Sequence, residues 1–180
     1  LHVQGDGGMI TTSTKDLYET VLRLRNHGLA NRDECAMWGY NSRLDCLQAG
    51  IGNIKLRHIS SWALKRREIA AKYISGLSDI VITPQSNENE GHVFNRFVIM
   101  SEQRDGLQNF LTTNGIETKV HYPIPIHLQA PARELGYKKG DFPNAEAHTK
   151  KMLSLPIHES LSDKAVDYVV KNIRRFFDKS

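Results

Sequence analysis

Cysteine and long apolar runs are both scarce in this sequence of 180 residues. The two cysteines, Cys35 and Cys46, are too few for a disulfide framework, and no CxxC pair is present. No apolar run approaches the roughly 18–20 residues that cross a membrane, and no basic and apolar leader pattern opens the chain. We therefore expect reduced thiols, a cytoplasmic location and no membrane partner.

A concentrated region of one charge is also missing. Lys and Arg number 24 against 20 Asp and Glu, which gives a net charge of +4 and a pI near 9.1. The basic runs are short, separated and close to acidic residues, whereas nucleic-acid binding requires a concentrated basic face with interleaved aromatic residues. We expect no nucleic-acid partner. The excess charge suits solvated helices or the attraction of a phosphorylated small molecule.

The first part of the chain carries a short strand pattern followed by a helical one. Residues 8–12 are rich in β-formers and predict a strand that is entered through a glycine turn. Apolar residues at helical spacing over 17–24 predict a helix, with Thr12 or Ser13 as its N-cap and Gly28 at C′.

A long helical pattern follows a loop. Residues 29–40 lack periodicity and predict a loop long enough to suggest a functional role. Apolar residues then recur every three or four positions over 42–77, which predicts one long helix or two stacked end to end. Ser42 followed by Asp45 resembles a capping box at the start of this region.

The second part of the chain alternates shorter elements. Residues 93–100 predict a strand, 103–113 a helix and 117–122 a second strand. A short helix is predicted after Asn144, and a final helix begins after Ser162 as N-cap. This alternation predicts an α/β fold. A polar, turn-forming stretch marks a subdomain boundary before these elements, so that a smaller α+β unit runs from about 84 to 180.

The segment Tyr40-Asn41-Ser42-Arg43 is the first candidate site. It lies at the start of the predicted long helix, where free N–H groups and the positive end of the dipole bind anions. Asn41 and Ser42 add hydrogen-bonding groups, and Arg43 adds a charge suited to phosphate. The alternative is an ordinary N-cap beside a surface arginine.

The segment 121–129 is the second candidate. It holds His121, Tyr122 and His127, and two prolines stiffen its backbone at the end of a predicted strand. Such a segment suits polar recognition or proton handling in a cleft, although a structural loop with surface histidines is the alternative. A metal site is not expected, because no HExxH or other paired-ligand spacing occurs. Residues 153–158 predict a buried extended stretch with a structural role.

Taken together and in order, these segments resemble the C-terminal half of the DegT/DnrJ/EryC1/StrS family of pyridoxal-phosphate (PLP)-dependent sugar aminotransferases. The resemblance extends over essentially the whole chain. The matching pieces are GDGGMITT (5–12), LRLRNHG (22–28), GYNSRLDCLQA (39–49), HVFNRFVI (92–99), GIETKVHYPIPIHLQ (115–129), GDFPNAE (140–146) and LSLPIHESLS (153–162).

The resemblance implies the C-terminal part of a fold type I PLP-dependent transferase. Residues 1–83 would be the end of the PLP-binding large domain, including a long interdomain helix, and residues 84–180 a small C-terminal α+β domain. The family works as a homodimer with shared active sites. Its Schiff-base lysine would fall immediately upstream of Leu1, so we expect a longer chain, of about twice this length, and no catalytic residue in this part.

The same resemblance suggests roles for individual residues. Asn41 matches the asparagine that reaches the cofactor phosphate of the neighbouring subunit, and Arg43 lies beside it. His121, Tyr122 and His127 match the segment that lines the sugar-nucleotide side of the cleft.

The implied activity is transfer of an amino group, usually from glutamate, to a keto sugar linked to a nucleotide. Such reactions serve surface polysaccharide, antibiotic or deoxysugar biosynthesis. Two alternatives stay open. Some members carry histidine in place of the lysine and dehydrate the sugar, and a non-catalytic regulator could use the same scaffold.

Overall fold

A computed structural model describes residues 3–85 and 91–178. The chain forms two compact units that divide between Ile59 and Ser60. The polar stretch predicted as a subdomain boundary, 84–91, lies largely outside the described residues.

From residue 3 onward, the first unit contains two helices, α1 (Lys15–Leu24) and α2 (Cys46–Leu56). The predicted strand over 8–12 is wrong, because these residues are exposed and pair with no strand in the described part of the chain. β-propensity alone does not make a strand, since an extended segment needs a partner for its backbone groups.

The ends of α1 differ from the sequence prediction in detail. The N-cap is Thr14 rather than Thr12 or Ser13, although the Thr12 hydroxyl accepts a hydrogen bond from the Thr14 N–H at 3.0 Å. Gly28 lies three residues beyond the C-cap, Arg25, so it is not at C′. Its N–H nevertheless returns to the Arg23 carbonyl at 2.9 Å, and its φ of +72° is in the left-handed region.

The long helical pattern over 42–77 is divided between two helices, which was one of the two predicted arrangements. α2 begins after Asp45, not Ser42, because the Asp45 N–H is capped by the Gln48 side chain at 3.4 Å. It ends with a tightened turn in which Arg57 N–H bonds to the Ile54 carbonyl. The next helix, α3, spans Ile59–Leu77.

The second unit surrounds a two-stranded antiparallel sheet. Its elements are β1 (Phe97–Met100), α4 (Arg104–Thr113), α5 (Pro143–Lys151), β2 (Met152–Leu155) and α6 (Asp163–Phe177), together with α3 and two 3-10 turns at Ile126–Leu128 and Ala130–Leu135. Phe97 pairs with Leu155 and Met100 with Met152. The predicted helices over 103–113 and after Ser162 are confirmed, and the Ser162 hydroxyl accepts from the Ala165 N–H at 3.3 Å.

The strand predictions in this unit need correction. β1 occupies only the second half of the predicted range 93–100, since Phe94 has a φ of +45° and breaks the extended run. The predicted strand over 117–122 is reduced to one bridge, between Lys119 and Ser154. Tyr122, at its end, has a φ of +59°, which no strand residue adopts.

One apolar core holds the second unit together. It combines the inner face of the sheet with one stripe each of α3, α4 and α6. The largest fully buried side chains are those of Tyr73, Phe97, Ile69, Leu77, Ile99, Leu107, Leu111, Leu153, Ile173 and Val166. The Tyr73 and Phe97 rings lie 5.0 Å apart, and the Tyr73 hydroxyl donates to the Pro156 carbonyl at 2.9 Å. The hydroxyl thus has a partner although the ring is buried.

The position of α3 bears on the domain division. Its buried residues belong to the core of the second unit, so the compact units divide at the first residue of this helix rather than near residue 84. The assignment of residues 1–83 to a cofactor-binding large domain and of 84–180 to a small domain stays a prediction.

Candidate active site

A cleft of about 820 Å³ lies within the first unit. One wall is the glycine turn and the extended segment after it, and another is the exposed face of α1. The third wall is the segment that precedes α2. The lining residues are Asp6, Gly7, Gly8, Met9, Ile10, Thr12, Tyr18, Val21, Leu22, Arg25, Asn41, Ser42, Arg43 and Leu44. Asn41 and Arg43, the two predicted cofactor ligands, are therefore brought together in one cleft.

Backbone hydrogen bonds fix the segment that carries Asn41. Asn41 forms an antiparallel bridge with Asn26, just after α1. On either side of it, Tyr40 N–H donates to the Leu24 carbonyl at 2.7 Å, and Ser42 N–H donates to the Arg25 carbonyl at 2.9 Å. The position of Asn41 is thus set by the end of α1.

Two glycines allow this approach. A Cβ atom on Gly28 would lie 1.7 Å from the Met37 carbonyl oxygen, and one on Gly39 would lie 2.2 Å from the Gly28 nitrogen. Both obstacles are backbone atoms, which cannot move aside as a side chain can. The loop over 29–40 is therefore closed at its base by a crossing that only glycine fits.

The structure corrects the reason for expecting an anion here. Asn41 and Ser42 precede the first helical residue, Cys46, by four or more positions, so they do not lie at a helix N-terminus. The chemistry of the cleft is instead that of side chains. Arg43 Nε donates to Asn41 Oδ1 at 3.1 Å, which leaves the amide NH₂ of Asn41 as its donor toward a ligand.

The donor set of the cleft fits a phosphate group. Two guanidinium groups, Arg25 and Arg43, line it together with the Asn41 amide and the Ser42 hydroxyl. Guanidinium groups present paired donors that match phosphate oxygens. Arg25 was missed by the sequence reasoning. The sequence feature that could have identified Arg25 is its position in the run LRLRNHG, one residue beyond the end of α1.

His121 and Tyr122 follow the bridge at Lys119 in the second unit. His121 Nδ1 lies 2.8 Å from the Ser154 hydroxyl on β2. Partial burial lowers the pKa of His121, and the positive charges of Arg96 and Lys119 lower it further. The imidazole is therefore expected to be neutral at neutral pH.

Tyr122 is held by an arginine that the sequence reasoning did not identify. Arg96 Nη1 donates to the Tyr122 hydroxyl at 3.1 Å, and its guanidinium carbon lies 5.4 Å from the ring centroid. This hydrogen bond lowers the pKa of the Tyr122 phenol. The ring is 65% exposed, so it is available to a ligand. No local signal identifies Arg96, because its partner is 26 residues away.

His127 has different surroundings from His121 and Tyr122. Its ring is buried in the first 3-10 turn, with Nε2 3.0 Å from Glu146 Oε1 and the Phe142 ring centroid 4.8 Å away. Glu146 also accepts a hydrogen bond from the Gly140 N–H at 2.6 Å. These contacts tie the turn to α5, which is a structural role.

The stability of the protein should decrease as the pH is lowered, because Glu146 becomes protonated. The Gly140 N–H first, and His127 next, lower the pKa of this carboxyl, so its contribution is present above the ordinary glutamate pKa of about 4.3 and is lost as pH falls through the lowered value. We expect Glu146→Gln to lower the melting temperature at pH 7, and the difference from the natural protein to shrink below about pH 4. Glu134→Gln, at an exposed carboxyl, is the control and should show little change. A constant difference across the pH range would contradict this role.

Within residues 3–85 and 91–178, none of the helices is both long and apolar enough to span a membrane. The same ranges contain no cluster of three or more His, Cys, Asp or Glu side chains arranged to hold a metal ion.

Comparison with known proteins matches this chain to one family. The profile of the DegT/DnrJ/EryC1/StrS aminotransferase family matches residues 1–174. The chain is 41% identical to the pleiotropic regulatory protein of Geobacillus stearothermophilus, over 98% of this chain and 49% of that protein. It is 34% identical to the dTDP-3-amino-3,4,6-trideoxy-alpha-D-glucose transaminase of Streptomyces venezuelae, over 97% of this chain and 47% of that enzyme. The chain thus spans about half the length of these relatives.

Solved structures give the same result. DesV of S. venezuelae, in complex with a ketimine intermediate, superposes with a TM-score of 0.88 at 34% identity, over 92% of this chain and 45% of that one. An aminotransferase of the same family from Brucella abortus gives a TM-score of 0.86 at 31% identity, over 92% of this chain and 44% of that one. These matches confirm the predicted fold class, the C-terminal part of a fold type I transferase.

Proposed function

Because this chain belongs to the DegT/DnrJ/EryC1/StrS aminotransferase family, we propose that it is part of an enzyme that aminates a keto sugar linked to a nucleotide. The observation that carries the proposal is the match of 1–174 to the family together with 34% and 38% identity to two transaminases of dTDP-linked amino sugars. Glutamate is the proposed amino donor, and the product would enter polysaccharide, antibiotic or deoxysugar biosynthesis. We also propose a cytoplasmic homodimer with shared active sites.

The cofactor of this family is PLP, and the first unit contains a cleft suited to its phosphate. We assign Asn41 and Arg43 to phosphate binding, with Arg25 as a further positive charge. When bound, PLP supplies the electron sink for the reaction. The side chains of this chain would bind and orient the cofactor: the Asn41 NH₂ would donate to a phosphate oxygen, while the Arg43 Nε–Asn41 Oδ1 bond holds the amide in place.

The sugar nucleotide is assigned to the second unit. His121 and Tyr122 offer an imidazole and an exposed aromatic ring next to each other, and Arg96 adds a positive charge beside the ring. Such a set suits an anionic, hydroxyl-rich ligand. His127 was predicted to line the same site. Its buried contacts with Glu146 support a different role, in which it holds the loop that carries the other two.

Asn41→Ala in the full-length protein tests the cofactor assignment. Loss of a hydrogen bond to a charged phosphate should weaken PLP binding about 10- to 100-fold. Fluorescence titration of the cofactor-free protein with PLP measures this change. The matched control is Asn53→Ala, at an exposed asparagine on α2 that does not line the cleft. Unchanged PLP affinity in Asn41→Ala would refute the assignment of Asn41.

The reaction itself is tested with the full-length protein, PLP, glutamate and a panel of dTDP- and UDP-linked keto sugars. We expect glutamate-dependent formation of an amino sugar and of 2-oxoglutarate, detected by mass spectrometry. Loss of water from the sugar without any amino-sugar product would instead favour the dehydratase of the same family, and the residue upstream of Leu1 would then be histidine.

A regulator on the same scaffold is the second candidate. It is favoured by the name of the relative that is 41% identical, a pleiotropic regulatory protein. A regulator would bind the nucleotide sugar without transferring an amino group in the same assay, so binding and turnover measured on one preparation distinguish the two functions.

A further inference from the structure

Ser154 connects the candidate substrate segment to the sheet. It lies on β2, where it pairs with Val98 of β1, and only 7% of its surface is exposed. On its other side it exchanges two backbone hydrogen bonds with Lys119, at 2.9 and 3.2 Å. Its hydroxyl oxygen lies 2.8 Å from Nδ1 of His121. The serine thus contacts the imidazole from a rigid and buried position.

The hydrogen on this short contact can be assigned from the donor that each arrangement leaves without a protein partner, and from how deeply that donor is buried. A neutral imidazole carries one hydrogen, on Nδ1 or on Nε2. If Nδ1–H donated to Ser154, the serine hydroxyl hydrogen would need another acceptor, and the described residues offer it none. If the hydroxyl donates to Nδ1, the hydrogen without a protein partner is the one on Nε2, and this atom is not among the buried unpaired polar atoms of the described residues because His121 is only partly buried. A buried donor without a partner is costly, which favours the second arrangement.

The charged neighbours favour a neutral ring. Arg96 and Lys119 both raise the cost of a positive imidazole, and Tyr122 beside them carries no charge while its phenol is protonated. A protonated ring would also place a hydrogen on Nδ1, where the serine hydroxyl already donates. His121 is therefore neutral and presents Nε2–H as a hydrogen-bond donor.

We propose that Ser154 is a positioning residue for sugar-nucleotide binding, because its hydroxyl holds His121 in the tautomer that donates from Nε2 to an oxygen of the ligand. The part that concerns the ligand rests on the proposed function. The tautomer does not depend on it.

Nitrogen NMR of the full-length protein with ¹⁵N-labelled histidine tests the tautomer. The His121 signal is identified by its disappearance in His121→Ala. We expect Nε2 to carry the hydrogen in the natural protein and the titration midpoint of the ring to rise in Ser154→Ala. A hydrogen on Nδ1 in the natural protein would overturn the proposal. The control is Ser101→Ala, which removes another buried hydroxyl, one that bonds to the Gln103 N–H. It should leave the His121 signals unchanged.

Binding tests the positioning role. Titration calorimetry with dTDP-glucose and UDP-glucose should show affinity for the preferred nucleotide sugar falling about 3- to 10-fold in Ser154→Ala. Ser154→Thr keeps a hydroxyl and should restore it. In a His121→Ala background, Ser154→Ala should have no further effect, since the serine acts through the imidazole. Unchanged affinity in Ser154→Ala, or an additive loss in the double variant, would refute positioning. If the natural protein bound neither sugar nucleotide while the NMR showed hydrogen on Nε2, the proposed function and the assigned ligand would fail, and the tautomer would stand.

Discussion

Phe97→Ala is expected to lower the free energy of unfolding of the second unit by about 3–5 kcal/mol. Phe97 is fully buried on β1, with the Tyr73 ring centroid 5.0 Å away and that of Phe94 6.1 Å away. Truncation leaves a cavity between the sheet and α3 that these large rings cannot fill without leaving their rotamers. Urea unfolding of the full-length protein measures the change.

The same substitution should affect the site as well. Phe97 pairs with Leu155, the residue after Ser154, so a loosened β1 also loosens the strand that holds His121. Hydrogen exchange of the β2 amides should accelerate in Phe97→Ala. Val93→Ala, at an exposed position four residues earlier, is the matched control and should change stability by less than about 0.5 kcal/mol. Equal effects of the two substitutions would mean that Phe97 is not a central core residue.

Arg66→Met is expected to cost about 2–3 kcal/mol. From α3, Arg66 Nη2 donates to Glu159 at 2.9 Å and Nη1 donates to the Ile157 carbonyl at 3.2 Å, with longer contacts to the carbonyls of Phe94 and Asn95. The side chains of the pair are only 22% and 31% exposed. Methionine keeps the apolar stem and removes every donor, so these acceptors lose their partner in a partly dehydrated place.

Arg66→Lys separates charge from geometry. A single ammonium group cannot reach the carboxylate and the carbonyls of two segments together, so lysine should restore less than half of the lost stability. Chemical unfolding of both variants, beside the exposed control Arg133→Met, measures this. Full recovery with lysine would show that the positive charge alone, rather than the planar guanidinium group, stabilises these contacts between α3 and its neighbouring segments.

Elements with local signals could be predicted from the sequence, and elements that depend on distant partners could not. The helix after Ser162 has its cap, its apolar stripe and its length within one segment, and the structure confirms it. The strand over 117–122 had suitable residues, but within the described part of the chain it has one bridging partner, on β2 at Ser154. Pairing of this kind is set by the fold rather than by propensity.

The candidate site shows the same limit. Asn41 and Arg43 were predicted as cofactor ligands from the chemistry of their segment and from the resemblance, and this role stays a prediction. The expected helix N-terminus was wrong, because Asp45 and not Ser42 caps α2. Ser42 and Asp45 are both residue types that favour the N-cap, so the sequence alone does not decide between them. Arg96 and Ser154 could not be assigned at all, since their partners Tyr122 and His121 are 26 and 33 residues away along the chain.

The crossing of Gly28 and Gly39 fixes the backbone at the base of the loop, whatever side chains the residues between them carry. Residues 30–38 are all exposed, and Trp38 is 97% exposed, while the backbone on either side of the crossing is fixed from α1 to Asn41. The loop is therefore a place where sequence can diversify at little cost to the cleft that Asn41 and Arg43 line. A library that randomises 30–38 and keeps both glycines should retain folded proteins with varied surfaces, whereas a side chain at either glycine should not be recovered.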